Sequence, residues 1–126
     1  MIKVLVDTDV LIDYSKGYTG TLEELFEKQA KAQVELFINP VIIAEFYTDL
    51  KLKNKQRREK TEEFLRFFKT ANISGKTGLL AGELLRGNRV LFLGDALIAA
   101  TAVIEKLKLA TRNKKHFKSV QNLEFY

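Results

Sequence analysis

The hydrophobic pattern of the chain switches between two periods. Ile2 to Val6 is a short apolar run broken only by Lys3, and it reads as a strand buried on both faces. Leu36-Phe37-Ile38 and Lys108-Leu109-Ala110-Thr111 read as further short strands. Between them the apolar residues recur at helical spacing. Asp7 or Thr8 can cap a helix through about Ser15 that turns Leu11, Ile12 and Tyr14 inward. Gly17 and Gly20 mark a loop. Thr21 to Ala32 carries Leu22, Leu25, Phe26 and Ala30 on one stripe, behind a Thr21–Glu24 capping-box pattern. Asn39-Pro40 is a strong helix start, with Asn as cap and Pro in the first turn, and that helix runs to about Leu50.

The second half continues the alternation. Lys55 to Phe68 reads as a helix, Ile73 to Gly75 as weakly strand-like, and Thr77 to Leu85 as a helix ended by Gly87. Arg89 to Gly94 is an apolar approach to Asp95, which opens an Ala-rich helix reaching Leu107. Leu123 to Tyr126 reads as a last edge strand. Short apolar strands alternating with helices predict an α/β fold with a mostly parallel sheet. In such sheets, sites gather at the carboxyl ends of the strands. Asp7, the Asn39-Pro40 helix bearing Glu45, and Asn113 all fall at that edge.

Composition narrows the chemistry. The 126 residues fit one domain and contain no cysteine, which excludes zinc-thiolate sites, disulfides and Cys nucleophiles. The opening run meets Lys3 at once and has no long apolar core, so no secretory leader is expected. No apolar stretch approaches the ~18 residues of a membrane helix. A cytoplasmic setting without membrane contact is the expectation. The net charge is +5 with a pI near 9.4, unevenly placed. Lys51, Lys53, Lys55, Arg57, Arg58 and Lys60 surround Glu59, while Lys106, Lys108, Arg112, Lys114, Lys115 and Lys118 share their stretch with no acid. Such runs attract phosphate, although either alone is equally well a solvated face.

Against this basic background stand three carboxylates set into or against apolar runs. Asp7 ends the first strand, Glu45 sits inside Val41–Phe46, and Asp95 precedes Ala96–Ala100. A carboxylate at the edge of a core is costly unless a positive partner meets it. Taken singly, Asp7 and Asp95 are equally readable as helix caps, and Glu45 as the flank of an amphipathic helix it shares with Ile42 and Asp49. Taken together they suggest a shared divalent ion, Mg²⁺ or Mn²⁺, for which carboxylates are the preferred ligands. Ala99 and Ala102 lie on the Asp95 side of their helix, where small residues permit close packing. The only histidine is His116, so no Ser-His-Asp set exists, and no Walker-type phosphate loop occurs.

Four segments in order carry a resemblance: Val4-Leu5-Val6-Asp7-Thr8-Asp9-Val10-Leu11-Ile12, Asn39-Pro40-Val41-Ile42-Ile43-Ala44-Glu45, Gly94-Asp95-Ala96-Leu97-Ile98-Ala99-Ala100-Thr101-Ala102, and Leu109-Ala110-Thr111-Arg112-Asn113-Lys114-Lys115-His116-Phe117. Across nearly its full length the chain resembles the PIN-domain family, most closely its VapC-type toxin ribonucleases. The resemblance implies a single PIN domain over residues 1–126, a three-layer α/β/α fold, and a central, mostly parallel sheet of about five short strands. It implies Mg²⁺- or Mn²⁺-dependent RNA cleavage with Asp7, Glu45 and Asp95 as catalytic acids and metal ligands, helped by Thr8 and Asn113. Asp9 and Asp13 are auxiliaries for which outer or surface roles are expected. The implied partners are RNA, a cognate antitoxin, a second copy in a homodimer, and DNA only through the antitoxin. The chain departs from the family pattern at the fourth acid, where Asn113 and His116 stand instead.

Two enzyme rivals are weaker. Val6-Asp7-Thr8-Asp9 has the Asp-x-Asp form of haloacid-dehalogenase phosphatases, but the other residues that family needs are missing. A phospho-acceptor receiver domain needs a second Asp after a central strand, where Asp49 does not lie. A rival of another class keeps the fold and basic surface without hydrolysis, as a weak or inactive nucleic-acid-binding or regulatory module.

Overall fold

The computed structural model describes residues 1–49, 54–87 and 91–126. Four strands form one sheet in the order β3-β2-β1-β4: β1 is Ile2–Val6, β2 Val34–Ile38, β3 Lys69–Thr70 and β4 Lys108–Ala110. Every pairing is parallel, with Val4 opposite Leu36, Val6 opposite Ala110 and Ile38 opposite Thr70. The six helices described are α1 Thr8–Ser15, α2 Gly20–Ala30, α3 Pro40–Asp49, α4 Lys55–Leu65, α5 Gly75–Gly87 and α6 Leu93–Ile104. They flank the sheet in the three-layer α/β/α arrangement expected.

The physical reason for this layout lies in the central strands. Val4, Leu5 and Val6 of β1 and Leu36 and Ile38 of β2 are fully or almost fully buried, and helices cover them. Burying each such side chain contributes about 1.5–3 kcal/mol. Parallel strands need crossovers, so the chain returns through a helix each time, and all strands end at the same edge. That edge receives Asp7 after β1, Asn39 after β2 and Thr111 after β4.

Asn39 explains how α3 is aimed. It is wholly buried, its Oδ1 accepts from the Ile42 amide at 2.8 Å, and its Nδ2 donates to Thr101 Oγ1 of α6 at 3.0 Å. One side chain therefore caps the helix that carries Glu45 and ties it to the helix that carries Asp95. In α6, Ala99 and Ala102 are buried in the main core, while Ala96 and Ala100 pack with Ala81 of α5. The alanines that meet α5 are therefore Ala96 and Ala100, while Ala99 and Ala102 face the main core.

Several boundaries differ from expectation. The sheet has four strands among the described residues, not about five. Ile73–Gly75 is no strand, because Gly75 already opens α5, whose entry is fixed by Ser74 and Thr77 bonding each other. The strand in that region is instead Lys69–Thr70, two exposed residues at the edge. Leu123–Tyr126 forms only a bridge, Leu109 to Phe125, flanked by Leu109 N–H to Glu124 O and Tyr126 N–H to Leu109 O. Helix α2 begins at Gly20. Thr19 is its cap residue and makes no side-chain cap bond, so the Thr21 capping box does not form, and Ala30 is exposed. Helices α4 and α6 stop at Leu65 and Ile104, short of Phe68 and Leu107. Leu50, Lys51, Lys53, Arg89 and Val90, together with the Asp49 side chain, lie outside the described residues.

Candidate active site

Strand β1 delivers Asp7 to the carboxyl edge of the sheet, and the residue then caps α1 with its own side chain. Its Oδ1 accepts from the Thr8 amide at 2.7 Å, and its Oδ2 accepts from Thr111 Oγ1 at 2.8 Å. Because β4 pairs with β1 up to Val6–Ala110, Thr111 emerges directly beside Asp7. Asp7 is 6% exposed. Burial pushes its carboxyl up from 3.8 to about 7, and the like charges of Asp9 and Asp95 push the same way, against the two hydrogen bonds. The capping reading of Asp7 therefore holds, and it coexists with an electrostatic cost that a cap alone does not explain.

Glu45 approaches from α3. Its Oε1 accepts from Thr8 Oγ1 at 2.6 Å, so the residue after the first acid holds the second one. On its other side the Glu45 carboxylate lies against the backbone of α6. A Cβ placed on Gly94 would stand 2.8 Å from Glu45 Oε2, so the glycine leaves room for the carboxylate where any other residue would displace it. Asp95 follows in the first turn of α6, where the helix dipole favours a negative charge.

Asp7, Glu45 and Asp95 thus line one open cavity of about 440 Å³, together with Thr8, Asp9, Ile12, Thr48 and Asn113. All five residues singled out in the sequence border it. Asp9 also borders it and is more involved than expected. Its carboxylate accepts from the Arg112 amide at 3.2 Å and from Thr111 Oγ1 at 3.3 Å, and burial raises its pKa above the usual carboxylate value. Asp13 lies further out, paired with Arg112 at 2.7 Å. Thr111 was not singled out in the sequence as a site residue. Its role depends on the β1–β4 pairing, which no local pattern announces.

Asn113 follows β4, and its amide donates to Thr111 Oγ1 at 3.0 Å. His116 lies in the short 3-10 turn Lys114–Phe117, with Nδ1 4.0 Å from Asp95 Oδ2. The oxygen donors of the cleft suit Mg²⁺ or Mn²⁺. Among the described residues no three His, Cys, Asp or Glu side chains stand as a ready-made cage for an ion. Ions of this class keep several waters, so partial contact through water is in keeping with their chemistry. The basic runs flank this picture: Lys55, Arg57, Arg58 and Lys60 are exposed on α4, and Lys114, Lys115 and Lys118 are exposed around the 3-10 turn. No described helix is long and apolar enough to cross a membrane.

Known proteins share both sequence and fold. Ribonuclease VapC10 of Mycobacterium tuberculosis is 33% identical over 126 residues, spanning 96% of this chain and 90% of that protein. A solved toxin-antitoxin complex from Klebsiella pneumoniae contains a chain 30% identical, with a TM-score of 0.70 over 95% of this chain and 94% of that one. VapBC2 from Rickettsia felis, bound to a DNA fragment from their promoter, shares the fold with a TM-score of 0.84 at 24% identity, over 99% of this chain and 98% of that one. The sequence model of the PIN domain matches residues 4–123, nearly the whole chain, and the chain belongs to the PIN domain family.

Proposed function

We propose that the chain is a divalent-metal-dependent ribonuclease and the toxin of a toxin–antitoxin pair, folded as one PIN domain over residues 1–126. Asp7, Glu45 and Asp95 are its metal-holding and catalytic acids, with Thr8 and Asn113 as helpers. One observation carries this reading. Carboxylates 38 and 50 residues apart in sequence border one cleft, and the buried member is held near pKa 7 by burial and like charge. That is the electrostatics of a site built for a cation. The relatives' names support RNA as the substrate and an antitoxin as the partner, with DNA reached through that partner. A homodimer and a cytoplasmic setting complete the proposal.

Mg²⁺ or Mn²⁺, when bound, would supply Lewis acidity toward a phosphate oxygen and activate water for attack. The chain's own residues do the positioning. Thr8 and Thr111 orient Asp7, Thr8 orients Glu45, and Gly94 lets Asp95 and Glu45 share one wall. Asn113 presents an amide at the rim, and the exposed lysines and arginines attract the RNA backbone.

The test is cleavage of an RNA panel by purified protein with Mg²⁺ or Mn²⁺. Wild type is expected to cut and Asp95→Asn to lose nearly all cutting while remaining folded. Equal activity in the variant overturns the assignment. RNA binding without cutting by wild type instead supports an inactive binding module.

A further inference from the structure

Arg112 belongs to the basic run Lys106–Lys118, yet the fold gives it two carboxylate partners. Its backbone amide lies 3.2 Å from Asp9 Oδ2 and 3.4 Å from Asp9 Oδ1, and its Nη1 lies 2.7 Å from Asp13 Oδ1. Asp9 and Asp13 stand one helical turn apart on α1, so both reach out from one face of that helix. The outer contact is weak, because the Arg112 side chain is 64% exposed. The inner one, a charge-assisted bond to a half-buried carboxylate, is the stronger. The residues on either side of Arg112 are those the chain brings to the cleft. Strand β4 ends at Ala110, whose carbonyl accepts from the Asp7 amide at 2.9 Å. Beyond it the sheet ladder stops, and the Arg112 amide finds its acceptor on Asp9. Thr111 has a single hydroxyl proton. At 2.8 Å from Asp7 Oδ2 and 3.3 Å from Asp9 Oδ2, that proton lies mainly toward Asp7. Asp9 therefore holds the segment chiefly through the Arg112 amide. Asn113, at the rim of the cleft, is fixed by its backbone, its amide donating to Thr111 Oγ1 and its carbonyl accepting from the His116 amide, both at 3.0 Å.

We infer that Asp9 is a positioning residue. By gripping the Arg112 amide it sets Thr111 against Asp7 and holds Asn113 at the cleft, without itself binding an ion or touching RNA. The inference rests on the reading of the cleft as a ribonuclease site and adds what keeps its β4 side in place. Both Asp9 oxygens face the Arg112 amide, so the carboxylate is turned toward the loop.

The test compares Asp9→Asn with Asp9→Leu. Both remove the charge and keep the side chain's approximate size, but only asparagine keeps an acceptor for the Arg112 amide. Single-turnover cleavage of an RNA that wild type cuts, with Mn²⁺ present, is measured beside hydrogen exchange at the Arg112 amide. Asp9→Leu is expected to cut about 100-fold more slowly, the scale of a ~1 Å misplacement near the reacting atoms, and to exchange the amide faster. Asp9→Asn is expected to recover most of that rate and to keep the amide protected. Adding Asn113→Ala to Asp9→Leu is expected to cost little more, because the two act on one part of the site. Equal losses in Asp9→Asn and Asp9→Leu overturn the inference, since Asp9 would then act through its charge or as a ligand. Wild-type cleavage by Asp9→Leu, or fully additive losses with Asn113→Ala, overturns it too and leaves the acidic site standing. If wild type cuts no RNA, the ribonuclease reading and the role of Asp9 in it fall together. Circular dichroism checks each fold, and Asp9→Ala replaces Asp9→Leu if leucine is not accommodated.

Discussion

Thr8 Oγ1 donates to Glu45 Oε1 at 2.6 Å, while the Thr8 amide donates to Asp7 Oδ1 at 2.7 Å. One small residue thus orients the carboxylates delivered by β1 and α3. Thr8→Val keeps the shape, keeps the amide bond to Asp7 and removes only the hydroxyl. Mn²⁺ affinity is expected to fall about tenfold or more, the usual effect of removing a partner that orients a ligand. Stability is expected to fall by only about 1 kcal/mol. Calorimetric titration and a denaturation curve read the two effects separately. Unchanged affinity would mean that Glu45 needs no such hold.

Gly94 provides the opposite test, by adding an atom. Gly94→Ala introduces a Cβ whose ideal position is 2.8 Å from Glu45 Oε2, so the carboxylate has to move. Alanine is the better helix former by up to about 1 kcal/mol, so the melting temperature is expected to hold or rise. RNA cleavage is expected to fall about 100-fold, as misplacement of a catalytic group by about 1 Å can do. Wild-type cleavage rates in this variant would remove Glu45 from the chemistry.

The pH dependence of stability follows from Asp7. Its carboxyl is raised in the folded state, so between the unfolded value of 3.8 and about 7 the native protein holds more protons than the unfolded chain. Stability of metal-free protein is therefore present at low pH and lost as pH rises through that window. The shift from 3.8 to about 7 corresponds to about 4 kcal/mol at most. Asp9, raised in the same direction by burial, adds to the slope. Denaturant titrations of wild type and Asp7→Asn in the presence of a chelator, at several pH values across the window, are expected to converge at low pH. Toward neutral pH the variant is expected to become the more stable. Parallel curves would contradict the buried charge.

The parts of this fold that were legible in the sequence are those governed by local chemistry. Val4, Leu5 and Val6 are apolar because strand β1 is covered on both faces. Asn39-Pro40 announced α3 because a side-chain cap and a fixed φ act within one turn. Lys69–Thr70 was not legible, since an exposed edge strand of two polar residues exists only because β2 lies beside it. Leu123–Tyr126 had a strand-like composition, but the chain meets β4 at a single bridge. The site divides in the same way. Asp7, Glu45 and Asp95 stood out as acids in apolar surroundings. The contribution of Thr111, and the inward turn of Asp9, depend on β4 ending beside β1, a contact between residues 102 and 104 positions apart.

The central claim is that Asp7, Glu45 and Asp95 act as one cation site. Calorimetric titration of Mn²⁺ into wild type, Asp7→Asn, Glu45→Gln and Asp95→Asn tests it most directly. Wild type is expected to bind in the cleft, and each single substitution to weaken that binding about tenfold or more while the fold persists. Equal Mn²⁺ binding by wild type and all three variants would contradict the account.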